Sequence, residues 1–391
     1  MTEKAYSAPP ELGAIQQRSL MIGAAFLIIG IIGGFLSGGQ QFFRSYLIGF
    51  MFWLGICLGS MAILMIQHMA GGGWGVVIRR IVEAATRTLP FFMIGVIPIL
   101  LGIHSLYEWS RIGVEGSHKQ LFLSVPFFVI RTIFYFTVWG LFIFFLNKNS
   151  KLQDRLKDRR LVRRMQNLSG PGLVLYGLTI TFASVDWLLS LEPEWFSTIY
   201  GLLIMAGEGL TAMAFVIAFA VLLSKRDDLS SVYVPHYFHD LGKLLLAFTM
   251  IWAYFSFSQL LIIWAGNLPE EIPWYVRRLQ TNWKWVGLIL VVFHFALPFV
   301  LLLSRNLKQH ASKLLIVAVV VLLARYVDVV WLIVPEFKDR WFHFNWLDLV
   351  LPIGMGGIWF WYFLREYRSW PILPLGDPKL EEALETAHLH H

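Results

Sequence analysis

The stretch LFLSVPFFVIRTIFYFTVWGLFIFFL, Leu121–Leu146, decides the fold. It is 26 residues long and carries one charge, Arg131. A helix needs about 20 apolar residues, at 1.5 Å rise each, to cross a bilayer. Lipid offers no partners to an open sheet edge, so this run is helical. A basic stretch follows at once: Lys148, Lys151, Arg155, Lys157, Arg159, Arg160, Arg163 and Arg164. An apolar run that stops against such a cluster sets its own orientation, because loops rich in Lys and Arg stay on the cytoplasmic side. In a chain surrounded by membrane lipids, the cluster reads as a topology-setting cytoplasmic loop, not as a nucleic-acid or anionic-lipid site.

Working outward, nine similar runs accompany it: Ser19–Ser37, Tyr46–Gln67, Leu89–Leu106, Pro171–Leu191, Thr198–Leu223, Gly242–Ala265, Trp283–Leu303, Lys313–Val334 and Trp346–Leu364. The composition agrees, with 57% hydrophobic and 15% charged residues. Soluble domains carry roughly 25% charged residues. The fold class is an all-α polytopic membrane protein with about ten transmembrane helices. Of the 32 Lys and Arg residues, 22 fall on the side of the basic loop and 8 on the other, with Arg131 and Arg325 inside runs. Both termini are therefore expected in the cytoplasm. Trp109, Trp187, Trp195, Trp264, Trp274, Trp283, Trp331, Trp341 and Trp346 are expected to form an aromatic belt at the outer interface.

A quiet repeat divides the chain. Val185-Asp186 precedes Pro193-Glu194-Trp195, and Val327-Asp328 precedes Pro335-Glu336-Phe337 at the same spacing. Four helices separate the two copies. This predicts two parallel four-helix bundles, helices 2–5 (residues 46–197) and helices 6–9 (198–345). A cytoplasmic arm (1–18), a first flanking helix with its loop (19–45), a tenth helix (346–365) and a cytoplasmic tail (366–391) complete the chain. His388, His390 and His391 in that tail read as a frayed end or a cloning remnant.

The single cysteine, Cys57, excludes zinc sites and iron–sulfur ligation by this chain alone. His68, His104 and His294 lie at different depths, which disfavours a haem held by two histidines. No metal ligands are assigned.

Chemistry is expected where charge is buried. An ionisable residue inside a span costs about 2.5–3.5 kcal/mol on insertion scales, so Arg131, Asp186, Glu208, Arg325 and Asp328 together cost on the order of 15 kcal/mol if unpaired. They must pair, go neutral or face an interior. The proton-conducting candidates are Asp186, Glu208, Asp328, Arg325, His294 and Arg131, with His239, Asp240 and Lys243, beside His236, as a cytoplasmic intake. Arg325 and Asp328 are three apart and share a helix face, so they suit a local pair. Arg131 is the candidate partner of Asp186. Asp186, His104, Arg131 and Gln259 fall in the outer half and are the quinol-binding candidates.

The stretches SVDWLLSLEPEWFSTIYG (Ser184–Gly201), HDLGK (His239–Lys243) and WAYFSFSQ (Trp252–Gln259) resemble the F-type membrane subunit of bacterial alternative complex III. That subunit belongs to the polysulfide-reductase membrane-subunit family. The resemblance implies two four-helix bundles with flanking helices in the bacterial inner membrane. It implies a part in oxidising menaquinol or ubiquinol, through a quinol site near the periplasmic surface or through proton conduction. It also implies partners: an iron–sulfur subunit, multihaem cytochrome c subunits, a homologous membrane subunit and a terminal oxidase, which hold the redox metals. Two other readings stand beside it. A proton-coupled secondary transporter would show broken helices around a midplane site. A purely structural anchor would resolve every buried charge into a tight pair.

Overall fold

The computed structural model describes residues 8–114, 116–225, 232–337, 345–382 and 385. Among the described residues ten helices are long and apolar enough to cross a membrane. They are α1 (Glu11–Ser37), α2 (Gly39–Ala70), α3 (Gly73–Leu101), α4 (Val125–Leu156), α5 (Arg159–Leu191), α6 (Tyr200–Ser224), α7 (Pro235–Gly266), α8 (Trp283–Leu303), α9 (Ala311–Phe337) and α10 (Leu347–Arg368). Among the described residues there is no β-strand. The protein is an all-α polytopic membrane protein, as its hydropathy dictates.

The helices α2 to α5 pack on one another, as do α6 to α9. The two sets meet where α2 lies against α6, with α5 touching α6 and α9 touching α2. Gly59 makes that approach close: a Cβ there would sit 2.1 Å from the carbonyl oxygen of Glu208. Helix α10 covers α2 and α3, and α1 lies along α10. At that crossing a Cβ on Gly357 would fall 2.5 Å from the Cα of Gly23. Close backbone approach through small residues is how helices associate in lipid, where no hydrophobic drive separates them from solvent. Arg368 Nη1 donates to Gln16 Oε1 at 2.6 Å, so both ends of the helical region lie on one face, the terminal face.

Three differences from the sequence reading have physical causes. Helix α1 starts at Glu11, so the polar arm is shorter than expected. Helix α3 starts at Gly73, not Leu89. Gly71 and Gly72, at φ 69° and 100°, turn the chain, and the helix resumes through GWGVVIRRIVEAAT. Its charges look like loop residues but are neutralised inside. Arg80 pairs with Glu83 at 2.5 Å and with Asp154, and Ser150 donates to Glu83 at 2.6 Å. Arg79 pairs with Asp377 of the tail, whose Gly376 N–H donates to Asp154 at 3.2 Å. The aromatic belt, finally, lies largely inside. Trp109, Trp187, Trp195, Trp274 and Trp283 are buried, while Trp264 and Trp346 are exposed. Short helices, Trp109–Ile112 and Ile272–Leu279 among them, fold over the helix ends away from the terminal face and take the indoles into the core. Trp341 and the tail histidines His388, His390 and His391 lie outside the described residues.

Candidate functional site

In the first bundle, Asp186 ends the regular part of α5 and is fully buried. Arg131 of α4 grips it with two bonds, Nε to Oδ2 at 2.9 Å and Nη2 to Oδ1 at 2.6 Å. The Tyr135 hydroxyl donates to Oδ2 at 2.6 Å. The same guanidinium donates to the Phe122 carbonyl at 2.9 Å and lies 3.9 Å from the Phe122 ring. A two-pronged Arg–carboxylate pair is both strong and directional. The expected partner is therefore in place, and Asp186 is not the lone carboxyl that a proton carrier needs.

The middle of the protein is different. Glu208 lies on α6, between the bundles, with α2 and Tyr176 of α5 against it. Tyr176 donates to Glu208 Oε2 at 2.7 Å, while Oε1 is buried without a partner. One residue earlier, Gly207 receives the Arg325 guanidinium: a Cβ there would lie 2.4 Å from its central carbon. Arg325 thus reaches from α9 toward the turn of α6 that carries Glu208. Arg325 also pairs with Asp328 one turn on. Trp252 of α7 donates its indole N–H to Asp328 Oδ2 at 3.2 Å, and its ring lies 4.0 Å from that of His294 on α8. His294 is fully buried, and neither ring nitrogen has a partner among the described residues. Glu208, Arg325, Asp328, Trp252 and His294 form one row that runs from the junction of the bundles into the second.

The quinol candidates do not join this row. Gln259 is buried on α7, accepting from Ser197 at 3.1 Å and facing the Tyr275 hydroxyl at 3.4 Å. Burial pushes that phenol up to about 12. His104 is exposed and bonded to Ser110 at 3.1 Å. Asp186 and Arg131 belong to the other bundle.

Sequence reasoning missed the rim of the second bundle. Arg277 and Arg278, on the short helix Ile272–Leu279, both clamp Glu336, at 2.7 and 2.6 Å. Arg277 also holds Glu192 at 2.5 Å, at the end of α5. Arg278 is fully buried, stacked 3.5 Å over Trp274, and donates to the Trp274, Trp331 and Leu332 carbonyls. Burial lowers its pKa from the usual arginine range, and the Glu336 carboxylate opposes the shift. Two adjacent arginines looked like an ordinary loop. The available signal was the repeat itself, whose second copy carries Glu336.

On the terminal face, Asp240 gathers His236 at 3.6 Å and Lys243 at 3.1 Å. His236, Tyr237 and Asp240 face Gly72, Gly73, Lys379 and Glu382 across a cleft of about 210 Å³. His239 is partly buried nearby, on the same helix turn. Between this cluster and Trp252 the buried side chains of α7 are apolar except Thr249, which bonds its own helix at Leu245. Among the described residues no group of three acidic, His or Cys side chains is placed to hold a metal ion. No family model matches this chain, and no curated protein matches it.

Proposed function

We propose that this chain is a membrane subunit of a respiratory quinol-oxidising complex and that its own share of the work is moving protons. The observation that carries this reading is the central row, where a buried carboxyl oxygen of Glu208 and both nitrogens of His294 lack partners. Quinol oxidation releases protons as well as electrons, so it needs bases held out of water yet able to change partner. Buried ionisable groups in a span face that task by default. The resemblance of residues 184–201, 239–243 and 252–259 to the alternative complex III subunit gives the reading its redox context. Menaquinol or ubiquinol is the substrate class. The metal centres sit in iron–sulfur and multihaem cytochrome c partners, beside a homologous membrane subunit and a terminal oxidase. The excess of Lys and Arg on the terminal face supports a bacterial inner-membrane location with both ends cytoplasmic.

The anchor reading has an observation of its own, the closed Arg131–Asp186–Tyr135 unit. We assign it to the first bundle only, as a strut.

The test is made on the intact purified complex. Glu208→Gln and Asp328→Asn should keep haem and iron–sulfur partners attached, while lowering proton release per quinol oxidised. Unchanged release in both variants removes the proton role. Purification of the chain without coloured partners removes the respiratory role and favours a transporter.

A further inference from the structure

Helix α8 contains a π segment, Leu290–Ala296, with His294 inside it. The cause lies in the sequence. Val286, Leu290, His294, Pro298 and Leu302 are all buried and recur at every fourth residue. In an unbroken α-helix that spacing drifts roughly 40° per step and about 160° over the series, which turns one end away from the core. A π turn takes one residue more and absorbs much of this drift. Pro298 fixes where it forms. Proline offers no N–H to the carbonyl four residues back, that of His294, and its ring crowds that carbonyl. The Leu297 N–H accordingly reaches the Val292 carbonyl, five residues back.

Two irregularities therefore coincide at one residue. The carbonyl of His294 loses its usual donor four residues on to Pro298, and its imidazole is fully buried with no hydrogen bond among the described residues. An unmet buried donor or acceptor costs about 1–3 kcal/mol. A static core would fill this position with Leu or Phe. The ring does have neighbours that matter: the Trp252 indole at 4.0 Å, which bridges to Asp328, and the charge of Arg325.

We propose that His294 is a movable proton carrier and that the π turn is its hinge. Sliding the π turn by a residue rotates the imidazole relative to Trp252, between a position that meets water and one that meets Asp328. In the transfer, one ring nitrogen takes a proton from a hydronium ion, which leaves as water. The other gives its own proton to a carboxylate oxygen of Asp328. The ring is left neutral with its tautomer reversed, and Asp328 is left neutral beside Arg325. The purpose of this device rests on the proton-handling reading above, but its existence does not.

Nitrogen NMR of the full chain in lipid, with ¹⁵N-histidine, tests it without quinol or partners. His294→Gln identifies the signal by difference. The expected signal is a mixture of both tautomers whose ring N–H exchanges with solvent deuterium. Pro298→Ala restores the missing donor and should slow that exchange by about ten-fold or more, since the local opening becomes dearer by roughly 1.4 kcal/mol. A single tautomer with a protected N–H, or exchange indifferent to Pro298→Ala, overturns the proposal. If exchange behaves as expected while His294→Gln leaves proton release in the complex unchanged, the hinge stands and the respiratory proton role falls.

Discussion

Asp186 and Asp328 occupy matching places, each seven residues before a Pro-Glu pair, yet their surroundings are opposite in kind. The first takes its cation from a neighbouring helix, so the pair ties α4 to α5. The second takes it from its own helix, three residues away, so the pair ties no two helices together. The contrast inverts at the rim. Glu194 in the first repeat is exposed, 3.5 Å from Lys119. Its counterpart Glu336 is buried under two arginines. One bundle is locked deep and loose at its mouth, and the other is locked at its mouth and loose deep. A duplicated frame lets one copy carry load while the other keeps groups able to change partner.

The largest effect should come from breaking the deep lock. Arg131→Met leaves Asp186 buried with only Tyr135, and the expected loss is about 3–5 kcal/mol of stability. The double variant with Asp186→Asn should recover most of it. Asp328→Asn should cost less, about 1–2 kcal/mol, because its pair joins no two helices and the Asn amide oxygen can still accept from Arg325. Thermal unfolding of the purified protein in detergent gives both numbers. Equal losses from Arg131→Met and Asp328→Asn would break the comparison.

The rim gives the next effect, with the sign of the contrast reversed. Arg278→Met removes four hydrogen bonds from a fully buried site, and about 2–4 kcal/mol should go with them. Glu194→Gln on the first bundle should stay within about 0.5 kcal/mol, since its ion pair is exposed. Protease sensitivity of the segment 272–279 should rise in the first variant and not in the second.

How much of this was legible beforehand follows from what each signal encodes. Spanning length and apolar composition are local quantities, so ten helices were readable from runs such as Leu121–Leu146. The Arg131–Asp186 contact was readable because a lone buried acid demands a cation and few were on offer. The helix at Gly73–Thr86 was hidden, because Arg79 and Arg80 pair with Asp377 and Asp154 and Glu83 accepts from Ser150, all three distant in the chain. The tryptophans were misplaced because an indole looks the same whether it meets headgroups or stacks on another, as Trp195 does on Trp274 at 4.8 Å. The π turn had a signal, Pro298 with buried residues at every fourth place, but that pattern becomes decisive only once burial is known.

The smallest effect sharpens the comparison most, because it compares one hydroxyl with another. Tyr135 donates to Asp186, where Arg131 already reaches both oxygens. Tyr176 donates to Glu208, whose other oxygen has no partner. Tyr135→Phe should therefore cost only about 0.5 kcal/mol, and Tyr176→Phe about 1–2 kcal/mol, by the worth of a hydrogen bond to a well-held and to a poorly held acceptor. Infrared difference spectra in deuterated buffer read the same contrast directly. The Glu208 carboxyl band should shift on Tyr176→Phe, because its one donor is gone. The Asp186 band should stay nearly fixed on Tyr135→Phe, because the guanidinium still sets its charge and geometry. A shift at Asp186 as large as that at Glu208 would mean that Arg131 does not hold the carboxylate by itself, and the deep lock of the first bundle would then depend on the phenol as much as on the ion pair.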